Sequence, residues 1–316
     1  MELLSLVLTL KPLQAASPEK PLPIWWGRAA HALLLAVARQ GDPQLAASLH
    51  PHSIGRMAEV ADVDETPAAD QIDQMQMRPF TVSNLIGTFL NGGFKPQATY
   101  TLRFTAFHQD LAQILSDAAQ HGPLAPGRKV ELDFHPFEVV AACQTPDDAS
   151  CEDSPTDNEH RQWAGVTTFT DLGADFLLGK IVPPRRITLQ LASPATFKSG
   201  GKHVPLPLPD LVFGSLLERW NAFAPIVFPA ELRRYAAECL AISRFHLSSR
   251  SVPVKRGGLR IGGVGQVTYT TTSYDRYWMS VCTTLAAYAQ YAGVGAGTTM
   301  GLGQCRPLWE AQPTPG

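Results

Sequence analysis

Glycines 293, 295, 297, 301 and 303 put five residues without a Cβ into eleven positions of this 316-residue chain. Backbone without side chains can come within hydrogen-bonding distance of a ligand, so Gly293-Val294-Gly295-Ala296-Gly297-Thr298-Thr299-Met300-Gly301-Leu302-Gly303 reads as a phosphate cradle. It is neither of the common cradles. Thr298 and Met300 stand where a Gly-x-Gly-x-x-Gly motif would need its third glycine, and no Gly-Lys-Ser/Thr follows. A dinucleotide or ATP site is therefore not indicated. The nine histidines are the side chains able to take or give a proton at neutral pH. Read singly, His31 is an ordinary helix residue, and His50 is a helix C-terminal residue stabilised by the dipole.

Other chemistries find little support. Cys143, Cys151, Cys239, Cys282 and Cys305 are odd in number and widely spaced with no C-x-x-C pair, so neither a disulfide framework nor a zinc site is suggested. We expect no metal, no cofactor and a reducing, cytoplasmic setting. The opening run Met1 to Leu10 lacks a basic leader and a cleavage site, and no apolar run approaches the ~20 residues needed to span a bilayer.

Charge is unevenly divided. Residues 1–160 hold 10 Lys+Arg against 20 Asp+Glu, and residues 161–316 hold 16 against 8, so −10 and +8 sum to the net −2. A basic half is the footprint of a polyanion binder; attraction between the two halves is the plainer account.

The elements that must carry these residues follow from periodicity. We expect a strand over 2–10, a helix over 27–39 and a short helix started by Asp42-Pro43 and stopped at His50-Pro51. Residues 55–77 are acidic and aperiodic, and read as a solvated insertion. Strands at 78–85 and 99–107 follow, the latter with Tyr100, Leu102, Phe104 and Ala106 on one face. A helix over 109–119 and a strand over 129–142 complete a split βαβ arrangement. After an acidic linker over 144–160 the theme returns, with helices at 171–178, 209–223 and 277–291 and strands at 186–192, 240–248, 263–271 and 304–309. The fold class is α+β: two tandem ferredoxin-like domains, 1–143 and 161–316, the second ending in the glycine-rich loop.

With these elements in place the chain resembles a family. The opening strand, the Asp42-Pro43-x-Leu45-Ala46-x-x-Leu49-His50 helix, Arg78-Pro79-Phe80-Thr81-Val82-Ser83, Leu191-Ala192-Ser193-Pro194-Ala195-Thr196-Phe197, Leu216-Leu217-x-Arg219-Trp220-Asn221 and the terminal glycine loop are similar, in that order, to the CRISPR-associated endoribonucleases of the repeat-associated RNA-binding superfamily. That likeness implies metal-independent cutting of repeat RNA, leaving a 5′-hydroxyl and a 2′,3′-cyclic phosphate. It implies His50 as the catalytic histidine, His31 as its helix-borne companion and Arg78 as the cation beside them. The loop glycines would hold RNA together with Arg185, Arg186, Lys198, Lys202, Arg250, Lys255 and Arg256. Repeat RNA is the expected partner, and the family likeness also admits a homodimer or an effector complex.

The chemistry suits the residues. If the 2′-hydroxyl is the nucleophile, a base must take its proton, an acid must protonate the leaving 5′-oxygen and a cation must meet the phosphorane charge. Positioned acid–base groups contribute about 10² to 10⁴ in rate, and a cation adds electrostatic stabilisation. Two other readings remain: a non-catalytic guide-RNA-binding subunit, and an enzyme holding a small phosphorylated ligand at the glycine loop.

Overall fold

The computed structural model describes residues 1–15, 21–49, 77–148, 158–254 and 258–309. The acidic insertion and His50 fall outside these residues, as do Lys255 and Arg256.

The first half is built round β1 (Leu3–Pro12), buried from Leu3 to Leu10 on both faces. Its alternation assigns two jobs. Leu4, Leu6, Leu8 and Leu10 enter one core, shared with α1 (Gly27–Gly41). Val7, on the opposite face, packs on Trp163, Ala141 and Cys143. Beside α1 lies α2 (Pro43–Ser48), where Asp42 caps as expected by accepting from the amides of Gln44 at 2.8 Å and Leu45 at 3.0 Å. Next come β2 (Phe80–Val82), a small β3–β4 hairpin (Phe89–Leu90, Gly93–Phe94), β5 (Tyr100–Ala106), α3 (Gln109–Gln120), β6 (Lys129–Leu132) and β7 (His135–Cys143). The strand expected over 129–142 is thus a hairpin, turned by Asp133 and Phe134 with φ of 48° and 64°.

After α4 (Asn158–Arg161), β8 (Gly165–Thr167) returns to the first sheet and pairs with Leu3 to Ser5 of β1. The first sheet runs β2-β5-β1-β7-β6 with β8 also on β1, every pairing antiparallel.

The second half follows with α5 (Phe169–Leu177), β9 (Arg186–Ala195), a β10–β11 hairpin (Phe197–Ser199, Lys202–Val204), α6 (Pro209–Phe223) and α7 (Leu232–Cys239). It closes with β12 (Leu240–Pro253), β13 (Leu259–Thr271), α8 (Arg276–Ala292) and β14 (Cys305–Leu308). Its sheet runs β12-β13-β9-β14, again antiparallel. In both halves the first long strand lies between the third and fourth, with the second beyond the third. The whole is mixed α+β with antiparallel sheets. The second core gathers Val212, Phe213, Leu216 and Trp220 of α6 and Leu285, Tyr288 and Ala289 of α8 against β9 and β13.

One expectation needs correcting. Cys143 is disulfide-bonded, while Cys239, Cys282 and Cys305 are free thiols. A disulfide removes the cysteine argument for a reducing compartment. No helix among the described residues is long and apolar enough to cross a membrane. On β5, Tyr100, Leu102, Phe104 and Ala106 share the first core as expected, and Thr101, Arg103 and Thr105 on the other face are buried too. Their face is covered by the second half, since the Thr105 hydroxyl donates to the Tyr291 carbonyl at 2.6 Å.

Candidate functional site

His31 projects from the second turn of α1 into the seam between the halves. Its Nδ1 lies 2.8 Å from the carbonyl oxygen of Thr299 in the glycine-rich loop, and its ring lies 5.4 Å from that of Phe80, the first residue of β2. The half-buried Arg78 precedes Phe80 by two positions. The local sequence explains the approach. Gly27 opens α1 so close to Met300 that a Cβ there would lie 1.8 Å from the Met300 carbonyl oxygen. Trp25 Nε1 donates to that same oxygen at 2.6 Å, and Ser83 bridges Gly301 in parallel. The structure therefore joins three motifs that lie far apart in sequence: the first helix, the Arg-Pro-Phe-Thr strand and the glycine loop.

Much of the loop is packed against the protein itself. Gly293, Gly295, Gly301 and Gly303 are buried, and most amides of the loop already have protein acceptors. Gly293 N–H donates to Ala289 at 2.9 Å, Val294 N–H to Gly303 at 2.8 Å, Ala296 N–H to Thr196 at 2.7 Å and Gly303 N–H to Pro194 at 3.0 Å. Gly295 N–H donates to the Ser215 hydroxyl at 3.2 Å. The glycines have packing reasons: φ is 71° at Gly295 and 63° at Gly303, where a Cβ would stand 2.2 Å from the Thr196 carbonyl oxygen and 2.0 Å from that of Val294. Only 296, 297, 299 and 300 keep partial exposure; Thr298–Met300 form a single 3₁₀ turn between left-handed Gly297 and Gly301.

Two motifs noted in the sequence now have physical roles. The β9 end at Pro194 to Thr196 receives the loop amides. In the Leu216 to Asn221 motif, the Arg219 guanidinium donates to the carbonyls of Gly293 and Gly295, and Asn221 ties Phe228 by two bonds, 2.8 and 2.9 Å. Burial lowers the Arg219 pKa, offset in part by Tyr288 and Glu218.

A second cation under the seam was missed from sequence. Arg103, 3% exposed, points out of β5 into the second half, its fork held by neutral oxygens. Nε donates to Gln304 Oε1 at 2.9 Å, a second nitrogen binds the same oxygen, and a third reaches the Gln290 carbonyl at 2.9 Å. Its guanidinium lies 4.5 Å from the centroid of the Trp163 ring, and that of Arg306 lies 4.7 Å from it. Burial pushes Arg103 down to about 9, which leaves it cationic at neutral pH. The signal was available in principle: a charged residue in the middle of a strand otherwise buried on both faces.

The remaining basic candidates are distributed over the second half. Arg185 and Arg186 are exposed at the start of β9, with Arg185 4.6 Å from the Tyr274 ring centroid. Lys198 and Lys202 sit on the β10–β11 hairpin, half-buried and exposed respectively. Arg250 is exposed on the edge strand β12. Arg260, another basic residue of the second half, comes close to the exposed part of the loop: a Cβ on Gly297 would lie 3.4 Å from its guanidinium. Among the described residues, no three His, Cys, Asp or Glu side chains gather as a metal-ligand group.

Comparison with known proteins gives consistent findings. Residues 189–305 match the family model described as CRISPR-associated endoribonuclease Cas6, a stretch running from β9 to the first residue of β14. Proteins of that name from two strains of Mycobacterium tuberculosis are 28% identical over 124 residues, covering 39% of this chain and 38% of theirs. The match thus spans well under half the length of these curated relatives. Among solved structures, one Cas6 product complex superposes with a TM-score of 0.67 at 24% identity, covering 97% of this chain and 100% of that one. Another gives 0.64 at 25% identity, covering 98% and 100%. The fold is shared over nearly the whole chain.

Proposed function

We propose that this Cas6-type protein is an endoribonuclease that cuts CRISPR repeat RNA at the seam between its halves. The observation that carries the reading is the meeting of His31 with the glycine loop, since the loop lies inside the segment that matches the family model. The reaction we propose is metal-independent attack of a 2′-hydroxyl, giving a 2′,3′-cyclic phosphate and a 5′-hydroxyl. His31 and His50 share the two proton transfers, and Arg78 offsets charge on the phosphorane. RNA would approach across the second half, along Arg185, Arg186, Lys198, Lys202, Arg250, Lys255, Arg256 and the open part of the loop at Gly297. The buried Gly293, Gly295, Gly301 and Gly303 would act by shaping that surface. The repeated strand order supports two tandem ferredoxin-like modules, with residues 1–143 and 161–316 as their main bodies.

Incubation with the repeat RNA in EDTA tests this. One cut per repeat with a cyclic-phosphate end is expected. No product, or a 3′-hydroxyl product that requires Mg²⁺, sinks the reading. His31→Ala should retain RNA binding and lose about 10² to 10⁴ in cleavage rate. Unchanged cutting by both His31→Ala and His50→Ala, with RNA still bound, would favour a guide-holding subunit.

A further inference from the structure

The geometry points to the glycine-rich loop as the element that orients His31: the Thr299 carbonyl fixes the imidazole with a proton on Nδ1, so that Nε2 is the nitrogen that exchanges a proton with the RNA. This rests on His31 being a proton-transfer residue of the cut. A carbonyl oxygen can only accept, so the 2.8 Å contact requires an Nδ1–H whatever the charge of the ring. In the neutral ring the lone pair is then on Nε2. As a base, Nε2 takes the proton of the 2′-hydroxyl and the ring becomes imidazolium, still bonded to Thr299. As an acid, Nε2–H gives its proton to the departing 5′-oxygen and the ring returns to its Nδ1–H form. Either way the bond to the loop persists through the step.

The loop is built to hold that carbonyl in place. Gly297 and Gly301, with φ of 80° and 89°, bracket the single turn that carries Thr299. Trp25 holds the next carbonyl at 2.6 Å, and Arg219 holds two others at the base of the loop. Gly27 leaves no room for the loop to slide along α1. These anchors come from both halves of the chain, and none of them presents a proton-transfer group. Trp25, Gly27 and Arg219 are positioning residues.

The test uses the full chain labelled with ¹⁵N-histidine, with the His31 signals assigned by their loss in His31→Ala. In the neutral ring we expect a protonated Nδ1 and an unprotonated Nε2 in long-range ¹H–¹⁵N spectra. Trp25→Phe removes one anchor and Gly27→Ala pushes the loop from the helix. Each should shift His31 towards a mixture of tautomers and lower kcat about tenfold or more with KM within about twofold, as expected when a reacting group is misplaced by about 1 Å. Thermal unfolding of both variants verifies that they are folded. An Nε2–H tautomer in an active wild-type enzyme overturns the orientation. A fall in kcat with the tautomer unchanged, or no effect from either variant, overturns the role of the loop. A wild-type protein that holds the Nδ1–H tautomer but cuts no repeat RNA overturns the endoribonuclease reading, and the role of Nε2 with it.

Discussion

Gly295→Ala separates a packed loop from a ligand cradle, because the two accounts disagree about where the damage appears. At a φ of 71° an added Cβ costs about 1–2 kcal/mol in backbone strain alone. It would also stand 2.2 Å from the Thr196 carbonyl oxygen, so the two segments must part by nearly an ångström. Parting breaks the 2.7 Å bond from Ala296 to Thr196, worth about 1 kcal/mol, and disturbs the charge-assisted bond from Arg219, worth about 1.5–3 kcal/mol. The total is about 3.5–6 kcal/mol. Gly92→Ala is the matched control, with a φ of 75° and nothing within 4 Å of its Cβ, so only the strain applies. The packing difference of about 2.5–4 kcal/mol should place the Tm of Gly295→Ala roughly 4–6 °C below that of Gly92→Ala. Circular dichroism on the two variants side by side, with RNA affinity measured at one fixed salt concentration, decides the matter. Equal Tm values with RNA binding lost only in Gly295→Ala would refute the packing account and restore the cradle.

Arg103→Met should cost about 2–4 kcal/mol, because Gln304 Oε1 and the Gln290 carbonyl lose buried donors; a Tm within 2 °C of wild type would show that water or a rearranged Gln304 replaces the guanidinium. Alkaline unfolding provides another check. Burial raises Tyr291 from 10.0 to about 12, and Tyr269 and Tyr288 are raised as well. For an acid whose pKa is raised in the folded state, stability is complete below pH 10 and is lost as pH climbs from 10 through 12. Phenolate absorbance and loss of helical ellipticity should then rise together above pH 10. Titration of Tyr269, Tyr288 or Tyr291 at pH 10 ahead of unfolding, identified by Tyr→Phe variants, would contradict their burial.

Much of the fold could be read from period and punctuation. The helix over Pro209–Phe223 has its expected bounds, and the Asp42 cap needed only the rule that a short acidic side chain before a proline starts a helix. What escaped was set by tertiary contact. The hairpin at Asp133-Phe134 depends on two non-glycine residues with positive φ, which no turn rule anticipates. The helix Leu232–Cys239 was absent from the expectation because its basic and acidic residues hid a buried stripe of Leu232, Tyr235 and Ala236. At the site, histidine chemistry and loop composition were legible separately. Their contact was not, since nothing local in Thr299 or His31 records a separation of 268 positions. The glycines show the same limit: composition records that backbone approaches something closely, but not whether that something is a phosphate, the protein's own carbonyls or both.

The pairing of β8 with Leu3 to Ser5 of β1 gives the chain a topology that its linear division conceals. The neighbour of β1 along one side is composite: β7 serves Val7 to Pro12 and β8 serves Leu3 to Ser5, so residues before and after the acidic linker together complete a single ladder. A fragment ending at residue 143 would leave that ladder open at its tip, exposing unpaired amides next to apolar side chains, a surface prone to recruit other strands. The first half in sequence is therefore not a self-contained half in space. A cut in the connecting segment would sever the polymer without separating the object, much as cutting one thread leaves a seam sewn from both sides.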